Sequence, residues 1–245
     1  MTEPTPAAAH DLGGEIPADR TLAFDGVGVE LAGTRILSDV TLSLAERRIA
    51  VIGENGSGKS TFARLLGGLV APTRGRVSIH GHDLVAGRKH VRRLVGSVFS
   101  NPDAQIIMPT VAEDVAFSLR RRGLGKAEIA ERVDATLERY GLAERADAPA
   151  HSLSGGQKQL LALCAVLIAE PSVIVADEPT ALLDGRNSRL ISGLLLDELP
   201  QQVVLVTHDL ELAARCDVAV RFEGGRLLEV DAPAGVIARY RQDLG

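Results

Sequence analysis

Aromatic and sulfur-containing residues are scarce in this chain of 245 residues. It has no tryptophan, two tyrosines, five phenylalanines, two cysteines and two methionines. Proteins that hold single-stranded nucleic acids usually stack the bases on aromatic side chains, and those that hold duplexes are usually basic. With 3% aromatic residues and a net charge of -5, the chain has neither feature, so we expect no nucleic acid among its partners.

Paired cysteines and membrane-length apolar runs are also missing. Cys164 and Cys216 lie far apart in apolar or helical stretches, so we expect them to pack as small apolar side chains in a reducing cytosol. The longest apolar run, residues 160–169, is much shorter than the roughly 20 residues that span a bilayer. The N-terminus has no basic segment followed by an apolar one, so we expect no signal peptide and a cytoplasmic location.

Apolar residues make up 45% of the chain, and their spacing predicts a strand-rich start, an α/β core, a helical insert and a return to the α/β core. Residues 1–20, rich in Pro and Ala, are predicted to be a disordered arm. The predicted strands are residues 22–31 (an antiparallel edge with a turn at its two glycines), 36–44, 49–52, 76–79, 173–176, 203–206, 218–222 and 226–230. The predicted helices are residues 61–69, 111–122, 126–140 and 156–170.

The segment Gly-Glu-Asn-Gly-Ser-Gly-Lys-Ser at residues 53–60 follows a predicted buried strand and precedes a predicted helix. Glycines let such a loop bend so that its N–H groups face phosphate oxygens, and the helix adds its positive end. The lysine supplies a charge for the outer phosphates and the last serine a hydroxyl for Mg²⁺. The pattern therefore predicts nucleoside triphosphate binding. The residues expected at the nucleotide are Gly53, Glu54, Asn55, Gly56, Ser57, Gly58, Lys59, Ser60 and Thr61.

Two further segments carry groups suited to phosphate chemistry. Asp177 and Glu178 follow the predicted strand 173–176, where a carboxylate can support Mg²⁺ and its neighbour can orient or polarise the attacking water. Residues 153–157, Leu-Ser-Gly-Gly-Gln, open a helix with a serine N-cap and uncovered N–H groups. That helix end is a second place for an anion, and its residues are Ser154, Gly155, Gly156 and Gln157.

These motifs, with Ala-Leu-Leu-Asp at 181–184 and His208 in Val-Thr-His-Asp, resemble those of the ATP-binding subunits of ABC transporters. The resemblance covers about residues 21–240. It implies an α/β fold of the ABC-type P-loop NTPase class. Such a fold has a RecA-like core, an antiparallel β-subdomain and a helical signature subdomain, here at about residues 100–165.

In the resembled family two subunits close head-to-tail. Each ATP is held between one subunit's phosphate loop, here residues 53–60, and the partner's signature segment, here residues 153–157. Ser154 and Gly156 would then bind the partner's γ-phosphate, and Asp184 would communicate across the dimer. With Glu178 and His208 present, a homodimer could hydrolyse ATP at both sites, although a heterodimer with a similar ATPase remains open.

The resemblance also implies roles for individual side chains in ATP hydrolysis. Lys59 and Ser60 would bind phosphate and Mg²⁺, and Asp177 would support the metal. Glu178 would be the catalytic base, and His208 would sense the γ-phosphate.

The chain departs from the family at two positions. Leu31 stands where an aromatic residue usually stacks on adenine, and Ser100 stands where the Q-loop glutamine touches Mg²⁺ and relays motion to the membrane partner. Serine is shorter and would reach Mg²⁺ through a bridging water. Gln105 is a possible substitute, but its spacing differs from that of the family glutamine.

Residues 99–119 resemble the corresponding segment of ATPases from energy-coupling-factor (ECF) importers, and residues 44–61 resemble the biotin branch of that group. The resemblance implies uptake of a vitamin such as biotin, or of a metal ion such as cobalt or nickel. Its partners would be an integral membrane coupling protein, docked near residues 100–115, and a substrate-binding membrane protein. The ATPase would then lie at the cytoplasmic face of the membrane.

Other features of the sequence allow alternative interpretations. His80 and His82 could begin a metal site, but no third ligand is evident. The basic runs 88–93 and 120–122 are typical of a solvated face, and the second could instead face the membrane partner or anionic lipid. An exporter motor would use the same chemistry. A non-transport ABC protein is disfavoured because the chain has one ATPase unit and no heptad run.

Leu31 leads to a test of nucleobase preference. Leucine can pack against a purine but cannot stack on it as an aromatic ring does, so discrimination for adenine should be weak. We expect GTP to displace a fluorescent ATP analogue about as well as ATP does, and Leu31→Tyr to shift the preference towards ATP. A strong preference for ATP in the natural chain would contradict this reading.

Overall fold

The structure is a computed structural model that describes residues 20–120 and 122–244. The arm predicted for residues 1–20 lies, apart from Arg20, outside the described residues.

The strands are β1 (Leu22–Leu31), β2 (Thr34–Leu44), β3 (Arg48–Ile52), β4 (Arg74–Ile79), β5 (His82–Asp83), β6 (Val95–Phe99), β7 (Val173–Asp177), β8 (Gln202–Val206), β9 (Val218–Glu223) and β10 (Arg226–Asp231). The α-helices are α1 (Lys59–Leu66), α2 (Arg88–Leu94), α3 (Val111–Phe117), α4 (Lys126–Arg139), α5 (Gly155–Leu167), α6 (Gly185–Gly193), α7 (Leu210–Ala213) and α8 (Pro233–Leu244).

The described residues form two compact units. The first comprises those up to Arg92 together with those from Gln202 onwards, and the second comprises Arg93–Gln201. None of the helices within residues 20–120 and 122–244 combines the length and the apolar character that crossing a bilayer requires. The predicted limits, residues 21–240 for the ATPase domain and about 100–165 for a helical subdomain, stay predictions.

The first unit contains an antiparallel sheet and a largely parallel one. The antiparallel sheet has the order β2-β1-β4-β5, and the other strands of this unit follow the order β10-β9-β3-β8. β3 runs parallel to both β8 and β9, and every residue of β3 and β8 is buried, as expected of central parallel strands. Phe62 of α1 lies against Phe24 of β1 and Phe222 of β9, with ring centroids 4.8 and 5.0 Å apart. This buried aromatic cluster packs α1, the helix that follows the phosphate loop, against β1 and β9.

The prediction of an antiparallel edge with a turn at residues 22–31 is wrong. β1 runs unbroken and lies in the interior of its sheet, paired with both β2 and β4. Gly26 has a φ of 56°, and the pairing register shifts on either side of Val27. The glycine therefore bends the strand in a β-bulge rather than ending it.

The second unit pairs one parallel strand couple with a group of helices. β6 and β7 are parallel over their whole length, α5 packs on β6, and α3 packs on α4 and α5. Gly96 of β6 allows this close approach, since a Cβ there would overlap the side chain of Val166 in α5. The sequence pattern does not predict β6, whose Gly and Ser interrupt the apolar alternation.

Three predicted helices end earlier than their apolar spacing suggests. α1 ends at Leu66 because Gly68 adopts a φ of 66°, and α5 ends at Leu167 because Glu170 adopts a φ of 53° immediately before Pro171. α3 ends at Phe117, and the residues that follow it form i→i-3 hydrogen bonds instead, for example from Leu119 N–H to Ala116 O. The apolar periodicity continues through these turns, so the sequence alone overestimates the helices.

The C-terminal helix α8, which the sequence pattern also does not predict, is fastened to β9 and β10 by arginine pairs. The buried guanidinium of Arg221 lies 2.6 Å from Asp243 and 3.4 Å from Glu229. Arg239 bridges to Glu229 at 2.6 Å and to Asp231 at 2.9 Å. Because these partners come from three elements, they hold α8 against the β9–β10 hairpin.

Replacing one partner tests this anchor. Asp243→Asn keeps the size of the side chain but removes the charge-assisted bond to Arg221, so the free energy of unfolding should fall by about 1 kcal/mol. Urea unfolding followed by circular dichroism measures the change. Asp134→Asn, at an exposed position of α4, is the matched control and should change stability by less than about 0.5 kcal/mol. An equal effect of the two substitutions would contradict the proposed contribution of the Arg221–Asp243 pair to stability.

Candidate nucleotide-binding site

The phosphate loop lies between β3 and α1 in the first unit, and its bend depends on three glycines. Gly53, Gly56 and Gly58 have φ values of 143°, 79° and 102°, which side chains other than glycine rarely adopt. Lys59 is 8% exposed, and its Nζ donates to the carbonyl oxygens of Gly53 and Glu54 at 2.7 Å each. The lysine charge is therefore held within the loop that would surround an anion.

The groups that an anion would meet are at the start of α1. The first helical bond runs from Phe62 N–H to Gly58 O, so the phosphate loop leads directly into the N-terminal end of the helix. No acidic residue lies in the first turn to neutralise the positive helix end. Ser60 is exposed and Thr61 buried, while the buried Ser57 Oγ has no hydrogen-bond partner among the described residues. A buried hydroxyl of this kind is completed by a ligand or by water.

His208 also belongs to the first unit. It is exposed and follows the buried Thr207 at the end of β8. Asp209 then caps α7 by accepting bonds from Glu211 N–H at 2.9 Å and Leu212 N–H at 3.2 Å. The cap fixes the chain direction directly after the histidine.

The predicted acidic pair lies in the second unit, at the end of β7. Asp177 is the last residue of the strand, and Glu178 follows it with a φ of 52°. A left-handed conformation at a residue other than glycine costs of order 1–3 kcal/mol and is concentrated at functional positions. The backbone therefore turns sharply at Glu178, directly after the strand that carries Asp177.

The signature residues start α5 through a reciprocal cap. Ser154 Oγ accepts from Gln157 N–H at 3.3 Å, and Gln157 Oε1 accepts from Ser154 N–H at 3.0 Å. Gly155 faces open space, whereas a Cβ on Gly156 would overlap the carboxamide of Asn187. The two neighbouring glycines therefore have different tasks, one leaving the surface clear and the other allowing close packing.

Asn187 connects the signature helix with Asp184, a link that sequence reasoning missed. Asp184 caps α6 by accepting from Asn187 N–H at 2.9 Å and Arg186 N–H at 3.0 Å, and the Asn187 Nδ2 group also donates to it at 2.9 Å. These bonds, led by the Asn187 N–H, hold the pKa of the Asp184 carboxyl below its usual value. Asn187 thus contacts both the start of α5 and the residue predicted to signal across a dimer.

The two departures from the family pattern are placed differently. Leu31 ends β1 and is 44% exposed. Ser100 follows β6 and is half-buried. Gln105, the possible substitute, donates through Nε2 to Ser97 O at 3.1 Å and accepts at Oε1 from Phe99 N–H at 3.3 Å. Its carboxamide is thus held against the backbone of β6 by one bond from each of its two polar atoms.

The two histidines that could begin a metal site, His80 and His82, contact other side chains. His80 Nε2 lies 2.9 Å from Gln202 Oε1, and the ring of His82 lies 4.0 Å from that of His90. Within residues 20–120 and 122–244, no group of three or more His, Cys, Asp or Glu side chains could hold a metal ion. Burial raises the pKa of both cysteine thiols to about 12, which suits inert packing.

Comparison with known proteins agrees with the fold and the motifs. The family profile described as ABC transporter matches residues 37–181. The biotin transport ATP-binding protein BioM of Rhizobium etli is 46% identical over 90% of this chain and 98% of its own length. The energy-coupling factor transporter ATP-binding protein EcfA1 of Lacticaseibacillus paracasei is 39% identical over 84% of this chain and 76% of its own length.

A solved structure supports the same conclusion. CbiO1 from Clostridium perfringens, described as part of the ABC transporter complex CbiONQ, superposes with a TM-score of 0.80 at 32% identity. The match covers 91% of this chain and 93% of that one. The predicted fold class, α/β with an antiparallel and a largely parallel sheet, is confirmed.

The two signature glycines provide a matched test of the Asn187 contact. Gly156→Ala would displace the Asn187 carboxamide, and we expect the free energy of unfolding to fall by about 1–3 kcal/mol, as in other overpacked sites. Gly155→Ala adds the same methyl group where a Cβ meets nothing, so stability should be unchanged or slightly higher. Denaturant unfolding measures both, and equal stability of the two variants would contradict the contact.

Proposed function

The chain belongs to the ABC transporter family, and from that premise we propose that it hydrolyses ATP to drive uptake of a small solute through a membrane complex. The proposal rests chiefly on relatives named as transport ATP-binding proteins that are 46% and 39% identical over most of this chain. Nucleotide binding follows from the family itself. The solute, the partners and the roles of individual residues belong to the proposal.

The hydrogen-bond donors of the phosphate loop are suited to the phosphate groups of ATP. The Lys59 ammonium, the buried Ser57 hydroxyl and the N–H groups at the start of α1 are all suited to phosphate oxygens. Ser60 and Asp177 offer a hydroxyl and a carboxylate, the oxygen ligands that Mg²⁺ prefers, and Ser100 would contribute through a water molecule. When bound, Mg²⁺ would neutralise phosphate charge.

Glu178 is proposed to act as the general base. It would accept a proton from the water whose oxygen forms a bond to the γ-phosphorus, while the bond from that phosphorus to the bridging oxygen of ADP breaks. Lys59 would hold the phosphate charge in place, and His208 would contact the γ-phosphate. The left-handed turn at Glu178 supports a distinct role for this carboxylate beside Asp177.

A second ATPase subunit is part of the proposal, either another copy of this chain or a similar protein. Ser154, Gly155, Gly156 and Gln157 would bind the γ-phosphate held by the partner, and Asp184 would carry the signal between subunits. The open space at Gly155 and the exposed serine at the start of α5 support an anion at this helix end.

The membrane partners would be an integral coupling protein and a substrate-binding protein of the ECF type, with this chain at the cytoplasmic face of the membrane. Biotin is the solute that we favour over cobalt or nickel. Two relatives named for biotin transport are 46% and 44% identical to this chain. The coupling protein is proposed to dock at residues 100–115.

Two substitutions separate nucleotide binding from hydrolysis. Lys59→Ala should abolish binding of a fluorescent ATP analogue. Glu178→Gln should retain binding but lower the turnover of ATP by at least about 100-fold, the usual contribution of a general base. With ATP and Mg²⁺, Glu178→Gln should also elute as a dimer in size-exclusion chromatography with light scattering. Glu131→Gln, on the exposed face of α4, is the control and should behave as the natural chain.

Transport is tested by expressing the chain with the membrane proteins encoded beside it. Uptake of radiolabelled biotin that is lost in Glu178→Gln would support the proposal, and uptake of nickel or cobalt instead would change the solute. A Glu178→Gln protein that stays monomeric with ATP, Mg²⁺ and its membrane partners would contradict the dimer. Co-purification of ribosomes or DNA would contradict the transport function.

A further inference from the structure

The turn that joins β9 to β10 contacts the phosphate loop, although more than 160 residues separate them in sequence. Gly224 and Gly225 form this turn with φ values of 51° and 78°, a two-residue hairpin turn of the type that glycine favours. Gly225 N–H donates to Ser57 O at 3.1 Å, and Gly225 O accepts from Ser38 N–H of β2 at 2.8 Å. One residue of the turn therefore bridges the phosphate loop and the antiparallel sheet.

Close packing reinforces these hydrogen bonds at both ends of the loop. A Cβ on Gly53 would overlap the carbonyl oxygen of Phe222 in β9. At the other end, a Cβ on Gly58 would lie 3.6 Å from the Cα of Gly225 and 3.2 Å from Ile36 O. The loop thus lies against the hairpin where it leaves β3 and again where it enters α1.

The bond to Gly225 also orients a phosphate-binding group. The C=O of Ser57 and the N–H of Gly58 belong to the same planar trans peptide, so they point in opposite directions. Because the carbonyl points at the hairpin, the Gly58 N–H points away from it, at the start of α1. Rotation of this peptide would replace a donor by an acceptor and repel a phosphate.

We infer that Gly225 is a positioning residue for nucleotide binding. It fixes the Ser57–Gly58 peptide in the orientation that presents an N–H to phosphate. The inference rests on the proposed nucleotide binding at the phosphate loop and adds to it a residue that does not touch the nucleotide. The alternative is that the turn only stabilises the fold, in which case the affinity of the folded protein for nucleotide would not depend on Gly225.

Gly224 provides the matched control. Both glycines have positive φ, which asparagine tolerates better than other residues. A Cβ on Gly224 meets no atom within 4 Å, whereas a Cβ on Gly225 would overlap the carbonyl oxygen of Ile36. The pair Gly225→Asn and Gly224→Asn therefore differs in crowding against β2 and hardly in backbone preference.

The full-length chain and both variants are titrated with ADP and Mg²⁺ by isothermal calorimetry at 10 °C, after circular dichroism has shown that each is folded. Gly225→Asn should raise the Kd for ADP about tenfold and speed hydrogen exchange in a peptide covering residues 53–60. Gly224→Asn should leave both unchanged. Equal Kd values for the two folded variants would overturn the inference.

Two further results distinguish failure of the Gly225 inference from failure of the proposed nucleotide binding. If the natural chain does not bind ADP, the proposed function fails, whereas binding by the natural chain and equally by Gly225→Asn defeats only the inference. If Gly225→Asn does not fold, hydrogen exchange of the Gly225 amide in the natural chain decides. Because coupling is reciprocal, ADP should slow this exchange several-fold, and an unchanged rate would overturn the inference.

Discussion

A polyphosphate can be bound by backbone N–H groups only if the segment that carries them is held in a bend, with its carbonyl groups turned away. In this chain the bend needs positive φ values at Gly53, Gly56 and Gly58, and it needs neighbours that fix it. β3 and α1 hold its two ends, and the turn at Gly225 holds the peptide between Ser57 and Gly58. The arrangement of the first unit serves this constraint, since its aromatic core joins α1 to β1 and β9.

In the second unit, a small set of contacts likewise holds the start of α5. A capping box satisfies the free groups of Ser154 and Gln157, and the absence of a side chain at Gly156 makes room for Asn187. Asn187 also donates to Asp184. A displacement of α6 would therefore move the Asn187 side chain that contacts the start of α5. This direct contact is a physical basis on which the signature residues and Asp184 can respond together.

Sequence reasoning succeeded wherever the chemistry is local. The phosphate loop, the acidic pair after β7, the Ser154 cap and the β9–β10 hairpin are each specified by a few consecutive residues, and the structure has all of them. It failed where apolar periodicity continues past a turn, as at the ends of α1, α3 and α5, and where a glycine bends a strand without ending it, as at Gly26. In each case a backbone conformation, which the hydrophobic pattern does not record, decided the outcome.

By itself, the sequence determined the family, the fold class and the identity of the groups that suit phosphate chemistry, because these depend on short segments whose spacing fixes their local geometry. The hydrogen-bond and packing partners of the other polar groups depend on the tertiary structure. It placed Gln105 and Gln159 on the backbone of β6, Asn187 against Gly156, and Gly225 beside Ser57. Most of these contacts join residues far apart in the chain, and all depend on how strands and helices pack, so no local pattern could have predicted them.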